Sequence, residues 1–284
     1  MQTIVAPTPQ ELTLDKVIPL MDGYKRIKAN KIPLCIIKYG PPGSGKTSAD
    51  AVIKKLLRIN LSNFTKVDKD TPLTAIKSFR DESLRIKGEQ SQDEAIVKMQ
   101  QELLEQKDND GLSINDKMPI LLQRAFDYKL NVLWETTAQS PRSQKLLDRV
   151  FETIPSNYRI IVLFPIISID TAKRRVLERA QAHLLNEPPY YRPVPVKQLL
   201  EATDNSHMYF MKEIVPRVLS GHIYQLYCYN NEKVQHASNF KTMRNRNVVA
   251  ATSRRLAPDW TFGLDQRHRR IITRRPINKN KRQI

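Results

Sequence analysis

The chain has 284 residues, 40% of them hydrophobic, and a formal net charge of +18. That length suits one large α/β domain with added segments, and the apolar fraction supplies a core, which sets the chain apart from disordered and small disulfide-stapled classes. No apolar run approaches the roughly 18 residues of a membrane helix, and Met1 to Gln10 has neither a basic start nor an apolar stretch; no membrane span and no signal peptide are expected, and a cytoplasmic location is.

The charge is unevenly placed. Residues 241–284 hold thirteen Lys and Arg against Asp259 and Asp265, a net +11, which leaves +7 for the preceding 240 residues. Cys35 and Cys228 both sit in apolar runs, the pattern of buried thiols in a reducing compartment and not of a disulfide or a metal site.

Residues 1–30 form an N-terminal segment, Pro- and Thr-rich at first, then with helical spacing over Thr13–Ala29. Leu34-Cys35-Ile36-Ile37 reads as a buried strand. It runs into Gly40-Pro41-Pro42-Gly43-Ser44-Gly45-Lys46-Thr47, the G-x-x-x-x-G-K-T pattern of phosphate-binding loops, and Ser48 to Leu57 then has helical spacing. Strand, glycine-rich loop and helix together turn backbone N–H groups and a helix dipole toward phosphate. Gly40 through Thr47 and Ser48 are therefore expected to hold ATP. Lys46 would reach its β- and γ-phosphates, and the Thr47 hydroxyl would ligate Mg²⁺.

A second strand is expected at Asn63–Val67, ending in Asp68-Lys69-Asp70. The stretch from about 72 to 117 reads as an inserted, solvated helical excursion, with helices in Phe79–Asp108 broken near Lys87-Gly88 and Asp110-Gly111; a further helix follows over Met118–Tyr128. A third strand at Asn131–Trp134 ends at Glu135, and Arg142–Phe151 is helical. A fourth strand, Tyr158–Phe164, is the most hydrophobic run. Asp170 is the expected cap of a helix from Thr171 to Leu185, a proline-rich stretch over Pro188–Val196 follows, and Lys197–Leu219 is helical. A fifth strand covers Ile223–Tyr229.

Apolar strands alternating with helices imply a P-loop kinase-type α/β fold: a mostly parallel five-stranded sheet with helices on both faces, spanning residues 31–240, and a basic, loosely ordered tail at 241–284. Ligands of such sheets lie at the carboxyl ends of the strands, where Asp68, Asp70, Glu135 and the phosphate loop are all expected.

The ordered combination of motifs resembles the zeta toxin family of P-loop kinases, which phosphorylate UDP-N-acetylglucosamine and related nucleotide sugars. The phosphate loop matches the family's GQPGSGKT form apart from Pro41. Val67-Asp68-Lys69-Asp70-Thr71 resembles the I-D-x-D-[ST] strand end, and Val132-Leu133-Trp134-Glu135-Thr136-Thr137 resembles V-I-E-x-T. Glu178-Arg179 and Tyr191-Arg192-Pro193-Val194-Pro195 resemble the lid, and the Tyr-Asn-Asn-Glu turn after the last strand is also similar. The likeness covers about residues 33–237. It implies that Asp70 is the general base toward an acceptor hydroxyl, and that Glu135 orients or binds substrate. Asp68 would be a second carboxylate there or would meet Mg²⁺ through water. Arg179 and Arg192 would neutralise charge on the transferring phosphoryl group, in the manner of arginine fingers. Toxin-type kinases often require a neutralising protein, so an inhibitory partner is also implied. The sequence departs from the family pattern after Asp70-Thr71, where Pro72-Leu73-Thr74 follows, and after Glu135, where Gln139 stands in place of an arginine. Kinase chemistry is therefore better marked than its acceptor.

The tail interleaves Trp260 and Phe262 with arginine clusters such as Arg267-His268-Arg269-Arg270 and Arg274-Arg275. It suits contact with a polyanion such as nucleic acid, a nuclear-targeting cluster, or a solvated extension. The competing reading of the whole chain is a nucleic-acid-associated P-loop protein, either a polynucleotide kinase or an ATP-binding structural or virulence module, that works through this tail.

Overall fold

Five parallel strands form the frame of the computed structural model: β1 (Leu34–Tyr39), β2 (Phe64–Val67), β3 (Asn131–Thr136), β4 (Arg159–Ile166) and β5 (Gln225–Asn230). Described are residues 32–55, 57–67, 70–87, 93–109, 111–231 and three later strands, Val248–Ser253 (β6), Thr261–Asp265 (β7) and Arg270–Arg274 (β8). The helix expected over Thr13–Ala29 and the carboxylate of Asp68 lie outside the described residues.

The strand order is β2-β3-β1-β4-β5-β6. All pairs from β2 to β5 are parallel, as their apolar runs predict, and β6 adds an antiparallel edge beside β5. The basic tail thus contributes a sheet strand and a β7–β8 hairpin that the sequence reading did not place. β1 is where the winding reverses, with β2 and β3 on one side of it and β4 and β5 on the other. In an open α/β sheet the crevice outside the carboxyl end of such a strand is the ligand site.

Nine helices are described: α1 (Ala49–Lys55), α2 (Asp70–Ala75), α3 (Lys77–Lys87), α4 (Asp93–Glu105), α5 (Ile114–Asp127), α6 (Pro141–Thr153), α7 (Ile169–His183), α8 (Val196–Tyr209) and α9 (Val215–Leu219). One face of the sheet, with Ile37, Trp134, Val162 and Phe164, packs on α5, α6 and the α8–α9 region. The other face, with Ile36, Leu133 and Leu163, packs on Ala49 and Ile53 of α1. Ser113 and Ser140 cap α5 and α6 with reciprocal side-chain bonds. Ser168, and not Asp170, caps α7, because it is the Ser168 side chain that accepts from the Thr171 N–H while Asp170 already lies in the first turn. The helix expected as continuous from Lys197 to Leu219 has a π turn at Phe210–Ile214 between α8 and α9. Phe210 there stacks on Tyr39, the last residue of β1, and packs at a tilt on Phe164.

The insertion is more than a solvated excursion. Leu73, Ile76, Phe79, Ile86, Ile96, Met99, Leu103 and Ile114 build a second core, and Ala180 of α7 and Tyr191 join it. The inserted helices thereby press against the segment that carries Arg179 and Arg192.

Candidate active site

The phosphate loop leaves β1 at Gly40. Gly43 and Gly45 have φ of 72° and 81°, the left-handed region that L side chains avoid. Both also lack room for a side chain. A Cβ on Gly43 would stand 2.6 Å from the Ala172 carbonyl oxygen of α7, and one on Gly45 would stand 2.2 Å from Nδ2 of Asn231. Lys46 opens the short turn Lys46–Ser48 that leads into α1. Its side chain is buried, and Nζ donates to the carbonyl oxygens of Gly40 at 2.9 Å and Pro41 at 3.1 Å. Burial pushes its pKa down to about 8. Glu135 and Asp70 pull it back up, while Arg179 and Lys38 push it down. These charged groups therefore lie within electrostatic range of one another.

Asp70 is the first residue of α2. Nη2 of Arg192 donates to its Oδ1 at 2.7 Å, so residues 122 positions apart in the chain form one ion pair. Arg192 is held in the turn between α7 and α8, where Pro193 is buried and the Tyr191 N–H donates to Ser83 Oγ of α3. Arg179 lies one turn before the end of α7. It is exposed, yet the protein around its guanidinium lowers its pKa, with the charge of Arg192 the next cause. Glu135 closes β3 directly opposite Lys38 of β1. It is exposed at the strand end. Its cationic neighbour is Lys38, whose Nζ lies 3.4 Å from Glu135 Oε2 and 3.0 Å from Asp50 Oδ1.

Lys46, Asp70, Glu135, Arg179 and Arg192 lie within electrostatic reach of one another. Pro41 is buried, Pro42 and Ser48 are half-buried, and Thr47 is exposed at the loop's end. Three further residues complete the surroundings. Lys38, 7% exposed, had a visible signal as the one cation in an apolar parallel strand. Asn231 follows β5, and its Nδ2 donates to the Ser44 carbonyl oxygen at 2.7 Å. Ser48 Oγ donates to Asn231 Oδ1 at 3.3 Å. Arg175, which in the sequence belongs to a run of cations on a solvated face, donates from Nη2 to the Asn231 carbonyl oxygen at 2.6 Å. The phosphate loop, the end of β5 and α7 are therefore tied at one point.

This loop fits a nucleotide triphosphate. Ser44 is fully buried in the loop and its Oγ has no hydrogen-bond partner among the described residues, while Gly43 and Gly45 leave the loop backbone bare of side chains, as close approach to a phosphate requires.

No curated protein sequence is significantly similar to this chain. Among solved structures, one from the PezAT chromosomal toxin–antitoxin system of Streptococcus pneumoniae is similar over 87% of this chain and 93% of its own, at 13% identity and a TM-score of 0.50. The AvrRxo1-ORF1:ORF2 complex with ATP matches over 75% of this chain and 58% of its own, at 10% identity and a TM-score of 0.42. A gluconokinase from Sinorhizobium meliloti matches at 14% identity over 74% of this chain and 89% of its own, with a TM-score of 0.35. The family model described as Zeta toxin matches residues 20–218. No helix among the described residues is long and apolar enough to cross a membrane. The family-model match spans well over half of the sequence, and the chain belongs to the Zeta toxin family and so to the P-loop phosphotransferases.

Proposed function

We propose that this protein is an ATP-dependent kinase that moves the γ-phosphoryl group to a hydroxyl of a small acceptor, a nucleotide sugar of the UDP-N-acetylglucosamine kind. The observation that carries this reading is the Asp70–Arg192 ion pair set across from the buried Lys46. In the reaction the acceptor oxygen bonds to the γ-phosphorus, the bond from that phosphorus to the β–γ bridging oxygen breaks, and ADP leaves. Asp70 receives the acceptor's proton. A carboxylate paired with a guanidinium is a weak base, which suits a loose transition state in which the proton moves late and orientation matters more than basicity. Arg179 and Arg192 bind the equatorial oxygens of the moving group, and Lys46 the β- and γ-oxygens. Thr47 would hold Mg²⁺ jointly with the nucleotide, and the ion would supply neutralisation of charge between the phosphates. Glu135, held by Lys38, orients the acceptor.

The toxin–antitoxin origin of the PezAT structure supports an inhibitory protein partner for this chain as well. Such a kinase would act in the cytoplasm. The +11 charge over 241–284 supports contact between the tail and a polyanion such as nucleic acid, as a tether and not as part of the chemistry. A screen with γ-labelled ATP against UDP-sugars, nucleosides and 5′-hydroxyl oligonucleotides tests the acceptor. Label on a UDP-sugar is the expected result. Label on the oligonucleotide would replace this reading with that of a polynucleotide kinase.

A further inference from the structure

Gln100 of the insertion reaches Arg192 of the site. Gln100 lies on α4 among Ile96, Met99, Leu103 and Leu104 and is 8% exposed. Nε of Arg192 donates to its Oε1 at 3.4 Å, while Nη2 of the same guanidinium donates to Asp70. A guanidinium has donors only, so the Gln100 oxygen must face it, and the amide nitrogen must face another way. That nitrogen, Nε2, is buried and has no hydrogen-bond partner among the described residues. A buried amide donor left unmatched is costly, and native structures keep few of them outside binding and catalytic sites. An apolar residue at position 100 would fit the surrounding core without that cost.

We propose that Gln100 is the acceptor-recognition residue of this site. Its oxygen fixes the Arg192 guanidinium beside Asp70, and its Nε2 is held for an oxygen atom of the phosphoryl acceptor. The inserted helices then act as the acceptor-selecting part of the fold, coupled to the lid through Tyr191, which the Ser83 hydroxyl and the second core both hold. The ligand class is an acceptor with a hydroxyl, carbonyl or phosphate oxygen beside the hydroxyl that is phosphorylated. The inference rests on the kinase reading above and deepens it.

Two variants separate the two halves of the side chain. Gln100→Glu keeps the shape and an oxygen for Arg192 but removes the donor. Gln100→Met removes both. The probe is UDP-N-acetylglucosamine, measured beside Mg·ADP binding in the full-length protein. For Gln100→Glu the expected result is a rise of about tenfold or more in the acceptor KM, with Mg·ADP affinity within about twofold of wild type. Gln100→Met is expected to lower kcat in addition, because Arg192 loses its second anchor. An unchanged acceptor KM in both variants overturns the proposal. If wild type neither binds nor phosphorylates this probe, the nucleotide-sugar reading fails by itself. The inference is then decided on whichever acceptor the γ-labelled ATP screen labels. A KM for that acceptor about tenfold or more higher in Gln100→Glu, with Mg·ADP affinity within about twofold of wild type, supports it, and an unchanged KM overturns it.

Discussion

Burial sets the charge state of Lys46 and so ties nucleotide binding to pH. Its pKa of about 8 means that the free protein still carries the ammonium at neutral pH but loses it as the pH rises further. A bound triphosphate needs that ammonium, so above about pH 8 binding must be accompanied by proton uptake. Mg·ADP affinity is expected to be level from pH 7 to 8 and then to fall, by at most about tenfold per pH unit. Titration calorimetry in buffers of different ionisation enthalpy checks both the fall and the proton uptake. Lys38→Met should move the fall to higher pH, since Lys38 is among the groups that push Lys46 down and also engages Glu135, which pulls it up. A fall that stays in place would mean that Lys38 does not act on the site. Lys46→Ala should remove phosphoryl transfer altogether.

At the scale of elements, the loop and α7 are packed so tightly that one methyl group separates two outcomes. Gly43→Ala puts a Cβ against the Ala172 carbonyl at a residue with φ of 72°, and neither backbone can give way cheaply. A loss of about 2 kcal/mol or more in stability is expected by denaturant unfolding, together with weaker Mg·ADP binding because α7 must retreat. Unchanged stability and binding would mean that α7 does not close over the loop. These elements differ in how far the sequence reveals them. β1, β3, β4 and β5 are apolar runs with both faces covered, and the loop carries a spacing that few other structures need. Asp70 and Glu135 could be located because strand ends are where such sheets place ligands. Arg175, Gln100 and Asn231 could not be read this way. Each becomes part of the site through a partner far away in the chain: Arg175 meets Asn231, Gln100 meets Arg192, and Asn231 meets Ser44. Local periodicity marks Arg175 only as one of several cations on a helix and Gln100 as one polar residue in an apolar stripe. The inserted helices read as solvated for the same reason, since their core is closed partly by Ala180 and Tyr191 from elsewhere.

For the whole molecule, stability and activity are expected to respond to different parts. His207 of α8 is 4% exposed, lies edge-on to Phe164, and is held by burial at a pKa of about 4. Unfolded, it would take up a proton near its ordinary 6.5. The unfolded chain therefore binds more protons between these values, and stability must drop as the pH falls through them, by up to about 3 kcal/mol from this residue. Half-buried His183, also at about 4, acts in the same direction. Urea midpoints from pH 7 to pH 4.5 measure the drop, and His207→Phe should flatten it. Removal of 241–284 takes away +11 of charge and the β6 edge of the sheet but no residue of the proposed site. Transfer to a small acceptor should survive that removal, while salt-sensitive binding to nucleic acid should be lost. Loss of transfer to a small acceptor would instead favour a nucleic-acid-directed enzyme.

In the proposed reaction Asp70 takes a proton from an acceptor hydroxyl while the loop holds the donor. The direct measurement is single-turnover transfer from γ-labelled ATP to UDP-N-acetylglucosamine, with wild type and Asp70→Asn compared at equal saturation with Mg·ATP. Expected are label on the sugar with wild type, and with Asp70→Asn a rate lower by roughly 10²-fold or more while the Mg·ATP Kd stays within about threefold. Transfer by Asp70→Asn at the wild-type rate, or label that appears only as inorganic phosphate with wild type, would contradict it.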